Sequence, residues 1–248
     1  MRIFFVNAQQ KVALIIGAGD AIGSAIMRKF AEIGLIACGA RRQGDKLNPL
    51  IDELTRKGYQ AHQFSCDARR EDAVEELFRY IETHIGDVEV VVFNVGANVP
   101  MPILQTDSQK FYKIWEMACF AGFLTGREAA RYMAPRQRGC IIFSGATASV
   151  RGSAGFAAFA SAKHGLRALA QSMARELGAK NIHIAHIIID GGVDTSWVRE
   201  NLPNYTERKA DDGIIDPDAL AKNYVTLYQQ PRNAWTFELD IRPWDEKW

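Results

Sequence analysis

Short apolar runs alternate with longer amphipathic stretches along the chain. The runs are Val12–Ile16, Leu35–Gly39, Gln60–Phe64, Val88–Asn94, Cys140–Ser144 and Ile182–Ile189, with Trp235–Leu239 closing the series. Several are almost continuously apolar, as in VALII and VEVVVF. A strand with one wet face alternates, whereas a strand covered on both faces of a parallel sheet reads as an unbroken apolar run. Between the runs the spacing predicts helices near 22–33, 45–58, 70–85, 107–134, 154–179 and 216–230. Such alternation implies right-handed βαβ crossovers, hence one α/β domain over residues 1–248: a doubly wound parallel sheet with helices on both faces. The one long stretch without a pattern is 194–215, polar and carrying Pro203. It is either a substrate lid or a surface loop.

Composition narrows the function classes. The chain is 48% hydrophobic over 248 residues, which excludes a disordered protein. With 30 Lys+Arg against 29 Asp+Glu the net charge is +1, too little for a general nucleic-acid binder, though a local cationic pocket remains open. Cys38, Cys66, Cys119 and Cys140 form no C-x-x-C pair and no metal-type spacing, so free thiols in a reducing cytosol are expected, without a metal. The opening MRIFFVNAQQ has an apolar run of four residues. That falls short of the roughly 7–15 apolar residues of a signal peptide, and no stretch reaches the ~20 of a membrane helix. The expectation is a soluble, cytoplasmic protein that engages neither membrane nor nucleic acid.

The first run leads into IIGAGDAIGSAI, where Gly17, Gly19 and Gly23 precede a helix. The spacing is G-x-x-x-[G/A]-x-G, with Gly17, Ala21 and Gly23 in the marked places. Small residues let the backbone approach a pyrophosphate, and the helix that follows offers free N–H groups and the positive end of its dipole. Gly17, Gly19, Ala21, Ile22 and Gly23 are therefore the candidate phosphate-binding turn of a Rossmann-like fold, with Asp20 expected to cap the helix. An acid closing the second strand would favour NAD by bonding a ribose 2′-hydroxyl. Here the strand ends CGARRQGDKL, which puts Arg41 and Arg42 where a 2′-phosphate would lie. Guanidinium forks suit phosphate, so NADP is expected over NAD.

With these features the chain resembles the short-chain dehydrogenase/reductase family along essentially its whole length. GAGDAIG is similar to that family's glycine motif. CDA at Cys66–Ala68 resembles its adenine-holding acid, here Asp67, and FNVG at Phe93–Gly96 resembles its N-N-A-G motif, placing Asn94 and Gly96 by the cofactor. DGGVDT at Asp190–Thr195 resembles the P-G-x-V-x-T segment, with Asp190 replacing proline. The resemblance implies that Val193 and Thr195 flank the nicotinamide, Thr195 meeting its carboxamide. It also implies subunit contacts through the 107–134 and 154–179 helices, giving a homodimer or homotetramer.

The family's chemistry rests on a Tyr–x–x–x–Lys pair, a serine thirteen residues before the tyrosine and an asparagine on the preceding long helix. Spacing of four puts tyrosine and lysine on one helix face, where the lysine lowers the phenol's pKa. In GFAAFASAKHGL the lysine is Lys163, but Phe159 stands at the tyrosine position, Ala146 at the serine position and Cys119 at the asparagine position. No tyrosine occurs between Tyr132 and Tyr205, and the wider Tyr–x6–Lys spacing of related enoyl reductases would fall on Phe156. Lys163 remains explicable, because in the family the lysine also bonds the nicotinamide ribose.

Losing a positioned general acid costs about 10²–10⁴ in rate. Ser144 shares a face with Ala146 if the strand continues, and with Lys163 it is the candidate catalytic residue. Thr147, Ser161 and His164 are nearby polar groups, and His183 and His186 are expected to be core residues satisfied by hydrogen bonds. Two readings follow. One is an oxidoreductase passing hydride between NADP(H) and a small-molecule substrate by a non-standard proton path. The other is a catalytically silent NADP(H)-binding sensor or partner subunit. Non-redox chemistry with the cofactor as a structural prop stays open as a third.

Overall fold

The computed structural model describes residues 10–96 and 98–247. Seven strands, β1 (Lys11–Ile16), β2 (Ile36–Arg41), β3 (Ala61–Ser65), β4 (Asp87–Phe93), β5 (Gly139–Ser144), β6 (Ile182–Ile189) and β7 (Glu238–Ile241), form one sheet in the order β3-β2-β1-β4-β5-β6-β7. Every pairing is parallel. Alternate residues of each central strand enter separate cores. Val12, Leu14 and Ile16 meet one layer of helices; Ala13 and Ile15 meet the other. Both faces are dry, which is why these runs are continuously apolar.

One face is covered by α3 (Glu71–His84), α5 (Ala121–Arg136) and α6 (Ala157–Leu177). The other carries α1 (Ile22–Glu32), α2 (Asn48–Arg56) and α9 (Pro217–Gln229). This is the doubly wound, Rossmann-like fold expected from the sequence. The crossover direction reverses between β1 and β4, so the cleft outside the carboxyl ends of those strands is where such a sheet takes its ligands.

Three elements differ from the sequence-based expectation. The 107–134 helix is α4 (Ser108–Trp115), a π turn over Glu116–Phe120 that contains Cys119, and then α5, which runs on to Arg136. The last strand starts at Glu238 rather than Trp235. The side chain of Gln230 pins Thr236 through two hydrogen bonds, and Trp235 stacks on His183 with ring centroids 4.9 Å apart. The aromatic character of that run thus reflects packing beside the sheet, not pairing within it. The stretch 194–215 folds into α7 (Ser196–Asn201) and α8 (Tyr205–Ala210). Its ends are pinched together by a bridge between Val193 and Ile215, and Arg199, Tyr205 and Lys209 converge on the Asp194 carboxylate. No helix among the described residues is long and apolar enough to cross a membrane.

Candidate active site

The glycine turn is built by close approach. Gly17 has φ +83, and a Cβ there would lie 2.7 Å from the Asn94 carbonyl oxygen. The amides of Gly17 and Ala18 both donate to the Ala40 carbonyl, and Asn94 Nδ2 donates to the Gly17 carbonyl (3.2 Å). A Cβ on Gly23 would sit 2.6 Å from Ala18 Cα, so only glycine lets α1 start so near the turn. Gly19 faces open space. α1 begins with no side-chain cap and no acid in its first turn; the Ser24 amide donates back to the Gly19 carbonyl (2.9 Å), and the Ile22 and Gly23 amides ahead of it are open to a ligand. Ala21, rather than Asp20, occupies the cap position. Asp20 is 83% exposed and accepts a 2.6 Å hydrogen bond from Arg41. A charge-assisted pair across to β2 outcompetes a neutral amide for that carboxylate.

Beside the turn lies a depression of about 350 Å³ lined by Gly17, Gly19, Arg41, Arg42, Asp67 and Gly96. Arg42 is exposed and makes no side-chain hydrogen bond among the described residues, acting on Asp67 only through space, so of the two arginines it is the less committed one. Asp67 accepts from Arg69 through both oxygens (2.9 and 2.5 Å), which holds its carboxyl below the usual carboxylate range. Its acidic side is therefore already engaged. A third depression takes in Ala21, Ile22, Gly23 and Thr195, and the Thr195 hydroxyl caps α7 by accepting from the Val198 amide (3.2 Å). Asn94 lines all three hollows, which makes one continuous cleft along the carboxyl edge of the sheet.

The part of that cleft that ends at Lys163 has a volume of about 470 Å³. The lysine is buried on α6, and its Nζ donates to the carbonyls of Ser144 (2.7 Å) and Val95 (3.1 Å). Burial pushes its pKa down to about 8, with no carboxylate beside it to resist. Phe159 lies over it, 5.9 Å from ring centroid to Nζ. Ala146 and Phe159 both line this cleft, so the positions that could carry a hydroxyl face it without one. Cys119 is buried against α6, where a Cβ on Gly165 would meet its sulfur at 2.9 Å; burial raises its thiol pKa.

Ser144 requires a correction. Strand pairing stops at that residue, so it does not share a strand face with Ala146. Its side chain follows Cys140 and Ile142 to the α1–α9 side of the sheet, where its hydroxyl pairs with the buried Tyr224 hydroxyl at 2.7 Å. Only its carbonyl addresses Lys163. Ser161 bonds the Ala158 carbonyl and His164 the Ala160 carbonyl, so both are spent on their own helix. The two strand histidines are half satisfied. His183 bonds the Thr236 carbonyl and lies by the Leu227 backbone, and His186 bonds the Glu238 carboxylate, while His186 Nε2 has no hydrogen-bond partner among the described residues.

Two features escaped the sequence reading. The Thr147 hydroxyl, at the cleft wall, donates to Asp190 (2.5 Å), and Asp190 is paired with Arg242 at 3.2 Å. The departure of Asp190 from proline was a visible signal; its partners were not. Arg151, in the exposed segment before α6, also lines the cleft. An isolated arginine in a polar loop carries no sequence signal.

Comparison with known proteins places this geometry in a family. A sequence model of the short chain dehydrogenase family matches residues 11–206. A short-chain dehydrogenase structure from Rhodopseudomonas palustris is 49% identical, superposes with a TM-score of 0.82, and the match covers 94% of this chain and 99% of that one. Zerumbone synthase of Zingiber zerumbet is 31% identical over 72% of this chain and 67% of its own length. The 3-oxoacyl-[acyl-carrier-protein] reductase MabA of Mycobacterium tuberculosis is 30% identical over 75% of this chain and 70% of its own. The chain belongs to the short-chain dehydrogenase family, a family of oxidoreductases.

Proposed function

We propose that this protein is an NADP(H)-dependent oxidoreductase that acts on a small organic substrate without a catalytic tyrosine. The observation that carries the reading is the unbroken cleft from the uncapped start of α1, past Asn94, to the buried ammonium of Lys163. A dinucleotide fits the residues present: the Gly17 cradle admits no side chain, Gly19 leaves room above the backbone, and Arg42, though it acts on Asp67 through space, is tied by no side-chain hydrogen bond among the described residues. When bound, the nicotinamide supplies or accepts hydride.

The chain's own residues do the rest. The turn from Gly17 to Gly23 would hold the pyrophosphate; Arg42, with Arg41 once it leaves Asp20, would meet the 2′-phosphate. Asp67, Asn94, Gly96, Val193 and Thr195 would flank the adenine and nicotinamide ends. Lys163 has three N–H donors and spends two on carbonyls, which leaves one for a ribose hydroxyl or a substrate oxygen. With a pKa near 8 it is mostly charged at neutral pH and can release a proton to a forming alkoxide. An iminium substrate would need no such proton. Ser144 contributes its carbonyl to that lysine rather than its hydroxyl to the substrate. The segment 194–215, pinched at Val193–Ile215, serves as a lid in this reading. The protein is taken to work in the cytoplasm, as its free-thiol cysteines suggest, and as a homodimer or homotetramer, as its family resemblance implies.

The test is NADPH oxidation across carbonyls, imines and activated alkenes, with Lys163→Ala alongside. Turnover that the substitution removes is expected; rates equal to the Lys163→Ala protein throughout would overturn the reading. The apolar faces of Phe159 and Ala146 favour a second reading, a silent NADP(H)-binding sensor or partner subunit. Tight NADPH binding without turnover would select it.

A further inference from the structure

The residues around the substrate end of the cleft carry positive charge without any acid to balance it. Its charged lining side chains are Lys163 at the floor and Arg151 at the rim; no described carboxylate lines it. Most arginines of this protein are paired with acids, as Arg28 is with Glu53, Arg136 with Glu82 and Arg167 with Glu238. Among the described residues Arg151 has no ion pair and no side-chain hydrogen bond, although its backbone is fixed by an amide donated to the Thr147 carbonyl (3.0 Å). Asp190, the acid behind Thr147, does not line the cleft; it is held by the Thr147 hydroxyl and by Arg242, which it shares with Asp240.

A third positive source opens at the same place. α6 is 21 residues long and starts after Phe156, a lining residue, with no side-chain cap and no acid in its first turn. The positive end of its dipole is therefore not offset by the chain. Between the floor and the rim Ala146, Ala148, Phe156 and Phe159 supply an apolar stretch of wall, beside the uncharged polar Asn94, Asn98, Thr147 and Ser153. A neutral apolar substrate would leave Arg151 and the helix start with only water for partners. An organic anion with an apolar middle would satisfy both.

We infer that the substrate is a carboxylate-bearing compound whose anionic end is held by Arg151 at the start of α6, with its reacting carbon toward Lys163. The inference rests on the oxidoreductase reading for which end reacts, but the anion site stands on its own geometry. A guanidinium offers a carboxylate two parallel donors, which a solvated loop arginine otherwise gives to water. Arg151 sets specificity; it takes no part in the transfer.

The experiment compares matched ketones that differ in charge alone: 4-acetylbenzoate with 4-acetylbenzamide, and levulinate with levulinamide. Calorimetric titration of the full chain, with and without NADP⁺, is run beside NADPH oxidation. In at least one pair the acid should bind about tenfold to a hundredfold more tightly than the amide. Arg151→Gln should shrink that gap below about threefold, Arg151→Lys should restore part of it, and Arg175→Gln, on the far end of α6, should leave it intact. In the unaltered protein the gap should also narrow as salt rises, because Arg151 is exposed. Equal binding of acid and amide, absence of acid binding in both pairs, or a gap that survives Arg151→Gln each overturn the inference. A preserved gap in binding with no turnover of these ketones or of the carbonyls, imines and activated alkenes of the wider panel leaves the anion site standing and removes the oxidoreductase reading instead.

Discussion

Lys163 Nζ stands 5.9 Å from the centroid of the Phe159 ring, one helical turn earlier on α6. The lysine is thus already in place for a phenol that the chain lacks. Phe159→Tyr together with Ala146→Ser should raise kcat/KM for ketone reduction by about 10²–10⁴, and either change alone by less. Steady-state NADPH oxidation measures this. No gain in the double variant would mean that the backbone no longer presents these positions to a substrate.

The same lysine makes stability depend on pH. Its folded pKa, about 8, lies below the ordinary 10.5 because burial penalises the ammonium. Between those values the unfolded chain keeps a proton that the folded chain has released, so this group's contribution to stability improves as pH rises through the window. Below pH 8 the burial cost, about 3 kcal/mol, is present in full. Relative to Lys163→Met, the unaltered protein should gain that amount between pH 8 and 10.5 in urea unfolding. A constant difference across the window would contradict the assignment.

His186 acts at the acid end. Burial among β6 and its neighbours pushes its pKa down to about 4, despite the Glu238 carboxylate at 3.0 Å; Lys163 and Arg167 add to the depression. Glu238 is itself held below its usual value, chiefly by Arg167. Stability tied to neutral His186 is complete above pH 6.5 and drains away as pH falls from there toward 4, by about 3 kcal/mol. His186→Asn should flatten the pH–stability curve over that range. A curve of unchanged steepness would assign the acid loss to other groups.

Arg41 and Arg42 should differ in effect. Arg42→Ala is expected to weaken NADPH binding ten- to a hundredfold, as expected for a lost charge-assisted contact, with little change for NADH. Asp20→Asn, which frees Arg41 from its 2.6 Å partner, should tighten NADPH a few-fold. Fluorescence titration with both nucleotides decides. Equal affinity for NADH and NADPH in the unaltered protein would refute the NADP preference.

Gly17→Ala tests the cradle. The substitution meets a left-handed backbone and a Cβ only 2.7 Å from the Asn94 carbonyl oxygen. A cost of about 1–3 kcal/mol in chemical unfolding is expected, with loss of nucleotide binding. Gly19→Ala, with nothing within 4 Å of its Cβ, should cost little stability and separate the two effects.

The sequence was most informative where burial alone sets the pattern. Strands closed on both faces must be apolar at every step, so β1, β4 and β6 were legible as central strands. The glycine turn was legible because a positive φ and a close approach leave glycine little competition at Gly17 and Gly23. The trailing edge was less clear, since Trp235 is apolar for a stack on His183 and not for a place in β7.

What the chain determined by itself is a doubly wound sheet, a glycine turn ahead of α1, and a helix that keeps Lys163 with Phe159 one turn before it. These follow from residue type and spacing, which are local properties. The tertiary structure decided which groups are free to act. It tied Asp20 to Arg41 and Thr147 to Asp190; it turned the Ser144 hydroxyl through the sheet to Tyr224, and it left Arg42 and Arg151 without a side-chain hydrogen bond among the described residues. A side chain's reactivity depends on who stands within about 3 Å of it, and those neighbours come from distant parts of the chain that periodicity does not name.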